Sequence, residues 1–239
     1  MRLDKLLANS GFGSRKEVKK LIKDGFVKVN DEKAKDGKRY VDPEHDVVTV
    51  NGEKVVYKEF VYFMMNKPAG VISATEDAWE STVIDLLELE DRISNPFPIG
   101  RLDKDTEGLL LLSNDGQLAH GLLSPKKEVP KTYFAVIDQE VTEEDAAAFE
   151  RGVVLDDGYK TKPAALKILK SGIRSDVEVT ITEGKFHQVK RMFEALGKKV
   201  VYLKRISMGP LTLDESLKEG EYRELTDEEI EKLLAYKTK

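Results

Sequence analysis

Cysteine is absent from all 239 residues. That excludes disulfides, thiolate metal sites and thiol nucleophiles, and it fits a reducing, cytoplasmic setting. Histidine is scarce. His45, His120 and His187 lie far apart without ligand spacing, so the sequence offers no zinc site. No apolar run approaches the ~18 residues of a membrane helix, and the N-terminal MRLDKLLANSG has no signal-like apolar stretch. Glycine loops of the P-loop or dinucleotide type are missing. There is no internal repeat and no low-complexity tract.

Charge is abundant instead. Charged residues make up 35% and apolar residues 40%, enough to bury a core beneath a charged surface. A formal net charge of -5 argues against nucleic acid, but its distribution argues the other way. Residues 1–40 hold 12 Lys or Arg against 6 Asp or Glu, whereas the rest of the chain holds 27 against 38. A basic module is joined to an acidic body.

In that module, short helices are expected over Leu3–Ala8 and Arg15–Lys23. Ser14 and Glu17 form a capping box, Val18, Leu21 and Ile22 a buried stripe, and Gly25 the stop. Arg15, Lys16, Lys19, Lys20 and Lys23 load the remaining face, offset by Glu17 and Asp24. Such a face suits a solvated surface or a phosphate backbone, and the residues alone leave both open. Asn51-Gly52, between Val47–Val50 and Lys54–Val56, signals a type I′ hairpin. The stretch RLDKLLANSGFGSRKEVKKLIKDGFVKVN resembles the S-four RNA-binding domain, named after a small-subunit ribosomal protein. The resemblance implies an RNA-binding domain over residues 1–57, with Arg15, Lys16 and Lys19 on RNA and Arg2 and Lys5 nearby.

Residues 60–239 carry more strands than helices and no regular βαβ alternation, which reads as α+β with a mainly antiparallel central sheet. FVYFMMNKPAGVIS is expected as strand, turn and strand, and STVIDLLE as a short helix capped by Ser81 or Thr82. KTYFAVID and DVEVTIT read as strands, and helices open at Thr142, near His187 and at Thr226.

Three stretches of this body carry chemistry. In GRLDKDTEGLLLLSND, Asp103 and Asp105 sit beside Leu109–Leu112, a strand apolar enough to be buried on both faces. A carboxylate at the edge of such a core is costly unless it is paired or used. In KTYFAVI, Tyr133 follows Lys131 at a strand start, where a tyrosine is ordinarily core. In EGKFHQVKRMF, Lys185, His187, Lys190 and Arg191 cluster at a helix N-terminus. Positive charge there opposes the helix dipole unless an anion is present, so this motif calls for a phosphate or carboxylate partner.

These motifs, in this order behind an S-four-like domain and together with NKPAGV and LKRISMGPLTL, closely resemble the RsuA-type ribosomal RNA pseudouridine synthases. The resemblance spans essentially the whole chain. It implies isomerisation of a uridine, in which the C1′–N1 bond breaks, the uracil turns and C5 rejoins the sugar. It places the catalytic aspartate on Asp103, acting by attack on C1′, attack on the ring or formation of a glycal. Tyr133 becomes the stacking and proton-handling tyrosine, and Lys190 the basic partner of the aspartate. Many relatives in the wider superfamily carry Arg at the Lys190 position. An ammonium is a point charge rather than a bidentate fork, and Arg191 is the next basic candidate. The resemblance further implies substrate contacts from Arg101, Asn66, Lys67, Lys131, Lys185, His187, Gln188 and Arg191. Asp105 reads as structural. No metal or cofactor is implied, because the reaction involves no net redox change.

Spacing in FMMNKPAGVISATEDAWESTVIDLL and HGLLSPKKEVPKTY looks most like the small-subunit (16S) enzyme, with the large-subunit (23S) enzymes as the alternative. The expected partner is ribosomal RNA or a small-subunit assembly intermediate, with no membrane partner and a monomeric chain. A non-catalytic assembly factor on the same fold is the competing class. A C5 methyltransferase acting through cysteine is excluded.

Overall fold

The computed structural model describes residues 1–237. They form two compact units, Met1–Val61 with Glu88–Asn95, and Tyr62–Leu87 with the chain from Pro96 onward.

The first unit begins with α1 (Leu3–Asn9) and α2 (Arg15–Lys23), followed by β1 (Val27–Val29), β2 (Glu32–Lys33), β3 (Val48–Val50) and β4 (Glu53–Lys54). The strands form an antiparallel sheet in the order β2-β1-β3-β4. The capping box of α2 is present, with Glu17 Oε2 accepting from Ser14 N at 2.7 Å. Asn51 and Gly52 both take positive φ, as a type I′ turn requires. Leu3, Leu6 and Leu7 of α1 and Val18 and Ile22 of α2 close over Val27, Val29, Val48 and Val50. The basic residues of α2 are left outside, and Lys16 and Lys19 form no ion pair among the described residues. Arg2 differs from the expectation of an RNA contact: it is committed to buried Asp4 at 2.6 Å. A second difference concerns Glu88–Asn95, placed by sequence in the second domain. Its short helix α3 (Leu89–Arg92) precedes Ile93, which fills the space over Gly11.

The second unit contains β5 (Tyr62–Lys67), a 3-10 turn (Val83–Leu86), β6 (Phe97–Ile99), β7 (Glu107–Ser113), α4 (Gly116–Leu123), β8 (Lys131–Ile137), α5 (Glu143–Arg151), β9 (Ala165–Lys170), β10 (Ser175–Ile181), α6 (Gln188–Ala195), β11 (Val200–Met208), β12 (Leu211–Thr212), β13 (Tyr222–Glu224) and α7 (Asp227–Leu234). One sheet runs β13-β5-β7-β11-β8-β10-β9, with β6 on β7 and β12 on β11. Every pairing is antiparallel except β7 with β11. The second strand expected after Pro68 does not form. Ile72 makes only an isolated bridge to Thr82, and the segment is a loop held to Leu102 by the Ser73 hydroxyl.

The leucine run behaves as its composition demands. Leu109 and Leu111 enter the core closed by Leu118 and Leu122 of α4 and Leu233 of α7. Leu110 and Leu112 alternate to the opposite face and are equally buried. Gly108 opens this strand at φ +102, and a Cβ there would lie 2.2 Å from the Arg205 carbonyl oxygen. Only glycine lets β7 approach β11 so closely. The register then places Lys67, Gly108, Arg205, Tyr133 and Val179 in one row across β5, β7, β11, β8 and β10. Residues paired in this way share a sheet face, so Lys67, Arg205 and Tyr133 lie on one side.

Candidate active site

The loop Gly100–Thr106 leads into β7 and is locked from beneath. Lys67 is fully buried, and its Nζ donates to the carbonyl oxygens of Thr106 (2.8 Å), Pro68 (3.0 Å), Asp103 (3.0 Å) and Lys104 (3.3 Å). Burial pulls its pKa down to about 8, against the pull of Asp105, Asp103 and Glu107. Arg205, the other buried cation of the row, donates from Nε to the Leu109 carbonyl at 2.8 Å.

Above this floor, the Asp103 carboxylate is gripped from α6. Lys190 Nζ lies 2.9 Å from Asp103 Oδ2 and 2.7 Å from Asp105 Oδ1. His187 precedes α6 in a left-handed conformation (φ 49), with Nε2 3.5 Å from Asp103 Oδ1. Burial lowers the pKa of Lys190, but the two carboxylates outweigh it and hold the ammonium above its ordinary value. The hydrogen bond from Lys190 in turn lowers the pKa of Asp105. The anion required by a basic helix N-terminus is therefore supplied from within the chain, by Asp103 and Asp105.

The remaining predicted residues separate clearly. Arg101 is exposed on the same loop, and Tyr133 lies on the sheet face shared with Lys67 and Arg205. Asn66 and Lys67 are buried, Asn66 donating to the Leu217 carbonyl at 2.8 Å, so neither offers a substrate contact; both serve the backbone. Gln188 is likewise buried, between Glu183 and the Lys185 amide. Lys131 donates to the Val129 carbonyl, and burial beside Arg205 brings its pKa to about 8. Lys185 covers the Tyr159 ring at 4.5 Å. Arg191, the alternative partner for Asp103, is turned instead to Asp156 and Asp157.

Sequence reasoning missed Arg205, and it did not foresee that Lys190 pairs with Asp105 as well as with Asp103. The Arg205 signal was available: a charged residue two positions after Leu203, on the inward face of β11. Asp105 carried none, because only the approach of α6 gives it a partner.

A carboxylate held by an ammonium, on a sheet that carries Tyr133 and in a chain with a basic module, is an arrangement that suits a base-modifying RNA enzyme. The comparisons agree. Residues 61–195 match the RNA pseudouridylate synthase family and residues 1–48 the S4 domain. The chain is 59% identical to an uncharacterized RNA pseudouridine synthase of Bacillus subtilis (strain 168), covering 96% of this chain and 97% of that one. It is 41% identical to ribosomal small subunit pseudouridine synthase A of Haemophilus influenzae (98% and 100%) and 44% identical to ribosomal large subunit pseudouridine synthase B of Bacillus subtilis (98% and 96%). A crystal structure of a pseudouridylate synthase superposes with a TM-score of 0.69 at 42% identity, covering 98% of this chain and 99% of the other. The chain belongs to the RNA pseudouridine synthase family.

Proposed function

We propose that the chain converts a uridine of small-subunit ribosomal RNA to pseudouridine, with Asp103 as the working carboxylate. The observation that supports this most is the support around Asp103: Lys190 and His187 at its oxygens and Lys67 on its backbone. The Lys190 ammonium at 2.9 Å is a fixed cation beside the carboxylate that would attack C1′ or the ring, or abstract a proton leading to a glycal. Across the reaction the C1′–N1 bond breaks and C1′–C5 forms, while C5 loses a proton and N1 ends with one. Tyr133, on the sheet face it shares with Lys67 and Arg205, is the group we assign to stacking and proton handling. The rigid loop keeps Asp103 in place while the detached uracil turns. The target base has to leave its helix to reach the site. Small-subunit RNA is favoured by motif spacing; the relative named for the large subunit, at 44% identity, keeps that substrate as a second reading.

The test is release of tritium from uracil C5, comparing wild type with Asp103→Asn on small- and large-subunit RNA, naked and partly assembled. Release by wild type alone, from small-subunit RNA, is the expected result. Release that survives Asp103→Asn moves the chemistry to another residue. Release from large-subunit RNA alone moves the substrate, and no release with RNA binding intact favours a non-catalytic assembly role.

A further inference from the structure

Two large aromatic side chains are exposed on segments tied to the Asp103 loop, and the mechanism uses neither. Trp79 is 94% exposed and Phe186 73% exposed. Each is adjacent in sequence to a residue that grips the loop. Glu80, next to Trp79, pairs with Lys104 at 2.7 Å. His187, next to Phe186, lies 3.5 Å from Asp103.

Both side chains are carried on defined backbone. Asp77 Oδ1 accepts from the amides of Trp79 and Glu80, which fixes the tip of the loop. The same loop is tied to the Asp103 loop again by Ser73 to Leu102 and by the Gly70 amide to the Lys104 carbonyl. Phe186 is stacked on the His187 ring at 3.7 Å and 19°, forming a two-ring platform whose outer face is open. Leaving a tryptophan and a phenylalanine in water forgoes the stabilisation that burying them would bring. Phe186 lies between Lys185 and His187 in sequence, whereas Trp79 lies between Asp77 and Glu80, with Lys104 reaching Glu80 at 2.7 Å. Exposed aromatics interleaved with cations are what single-stranded RNA requires, because every base offers a π-face and every linkage a phosphate.

We propose that Trp79 and Phe186 are stacking platforms for the unpaired bases that flank the uridine delivered to Asp103. The proposal rests on the RNA-modifying reading of the site and adds residues to it. Removing a base from its stack leaves its neighbours without a partner, and two aromatic rings fixed to the active-site loop replace the lost stacking. They also set the register of the strand, since each ring is one residue from a group that contacts the loop.

Trp79 is the single tryptophan of the chain, so its fluorescence reports directly on this contact. Titration with a short uridine-centred single-stranded RNA is expected to quench it. Phe186→Ala and Trp79→Ala are each expected to weaken binding and raise KM about 5- to 100-fold, the effect of losing one stacked base. The loss falls on KM rather than kcat, and Trp79→Phe and Phe186→Tyr restore most of it. Quenching is read without turnover, so it tests the platforms even if wild type releases no tritium from the RNA tested. Unquenched Trp79 with RNA bound removes Trp79 from the proposal. Alanine variants that bind as wild type, aromatic replacements that fail as badly as alanine, or a Phe186→Ala defect confined to kcat would each overturn it.

Discussion

Replacing Lys67 with methionine removes the ammonium beneath the Asp103 loop while keeping most of its volume. Of the four carbonyls it serves, two keep another donor: Asp103 O accepts from Thr106 N, and Lys104 O from Gly70 N. The carbonyls of Pro68 and Thr106 lose a charged donor, a gross cost of about 3–6 kcal/mol for two charge-assisted bonds. Against this stands the difficulty of holding the charge indoors. A folded pKa of about 8, against an ordinary ~10.4, corresponds to about 3 kcal/mol. The net destabilisation is therefore about 0–3 kcal/mol, a Tm drop of no more than ~10 °C in a unit of this size. Activity has no such compensation. A loop displaced by an ångström costs on the order of 100-fold. Thermal unfolding and tritium release on the same preparation check both numbers. A folded Lys67→Met enzyme within a few-fold of wild-type activity would refute the clamp. Raising the pH of wild type is the gentler form of the experiment. Above about 8 the amine is neutral and has two N–H donors for four carbonyls, so kcat is expected to fall. Stability moves the other way. Because the folded pKa lies below the unfolded one, the contribution of Lys67 to stability rises as pH passes from about 8 toward the ordinary lysine value. Lys131 also titrates near 8, so the alkaline limb must persist in Lys131→Gln.

Gly108→Ala adds a Cβ 2.2 Å from the Arg205 carbonyl at φ +102, so it is expected to part β7 from β11 and cost more than ~3 kcal/mol; a Tm near that of wild type would contradict it. Lys190→Met leaves Asp103 and Asp105 without their shared cation, and kcat should fall about 100- to 1,000-fold. Asp105 has a folded pKa held low by Lys190, so its favourable contribution exists above the ordinary carboxylate range and fades as pH falls. In Lys190→Met the loss of stability on acidification through that range should accordingly be smaller than in wild type, read as Tm against pH. The combined change of Arg15, Lys16 and Lys19 to Gln should lower the slope of log affinity against log salt by about 2–3, and an unchanged slope would show that α2 does not touch RNA.

Where local chemistry decides structure, the sequence was informative. Ser14 with Glu17, Asn51-Gly52 and the alternation in β8 and β10 each act within a few residues, and all three appear in the fold. The Leu109–Leu112 run announced a strand buried on both faces for the same reason. The helix dipole argument at α6 called for an anion and left its source open between phosphate and carboxylate. Asp105 was not legible, because its partner is 85 residues away and arrives only when α6 docks against the loop. Asn66, Lys67 and Gln188 were read as substrate contacts from motif membership. Polarity alone does not distinguish a side chain facing a ligand from one facing the protein's own carbonyls. Ile93 filling the space over Gly11 is likewise a tertiary fact, without a signature in the sequence around either residue.

The four hydrogen bonds that Lys67 makes all go to carbonyl oxygens, three of them in the Asp103 loop. The shape of the loop is therefore written in main-chain atoms that every residue type possesses. Outward positions such as Arg101 and Lys104 can be exchanged without redrawing that path. The loop behaves as a fixed bracket with replaceable fittings: its path is held from the main chain, and its outward side chains are left open to change.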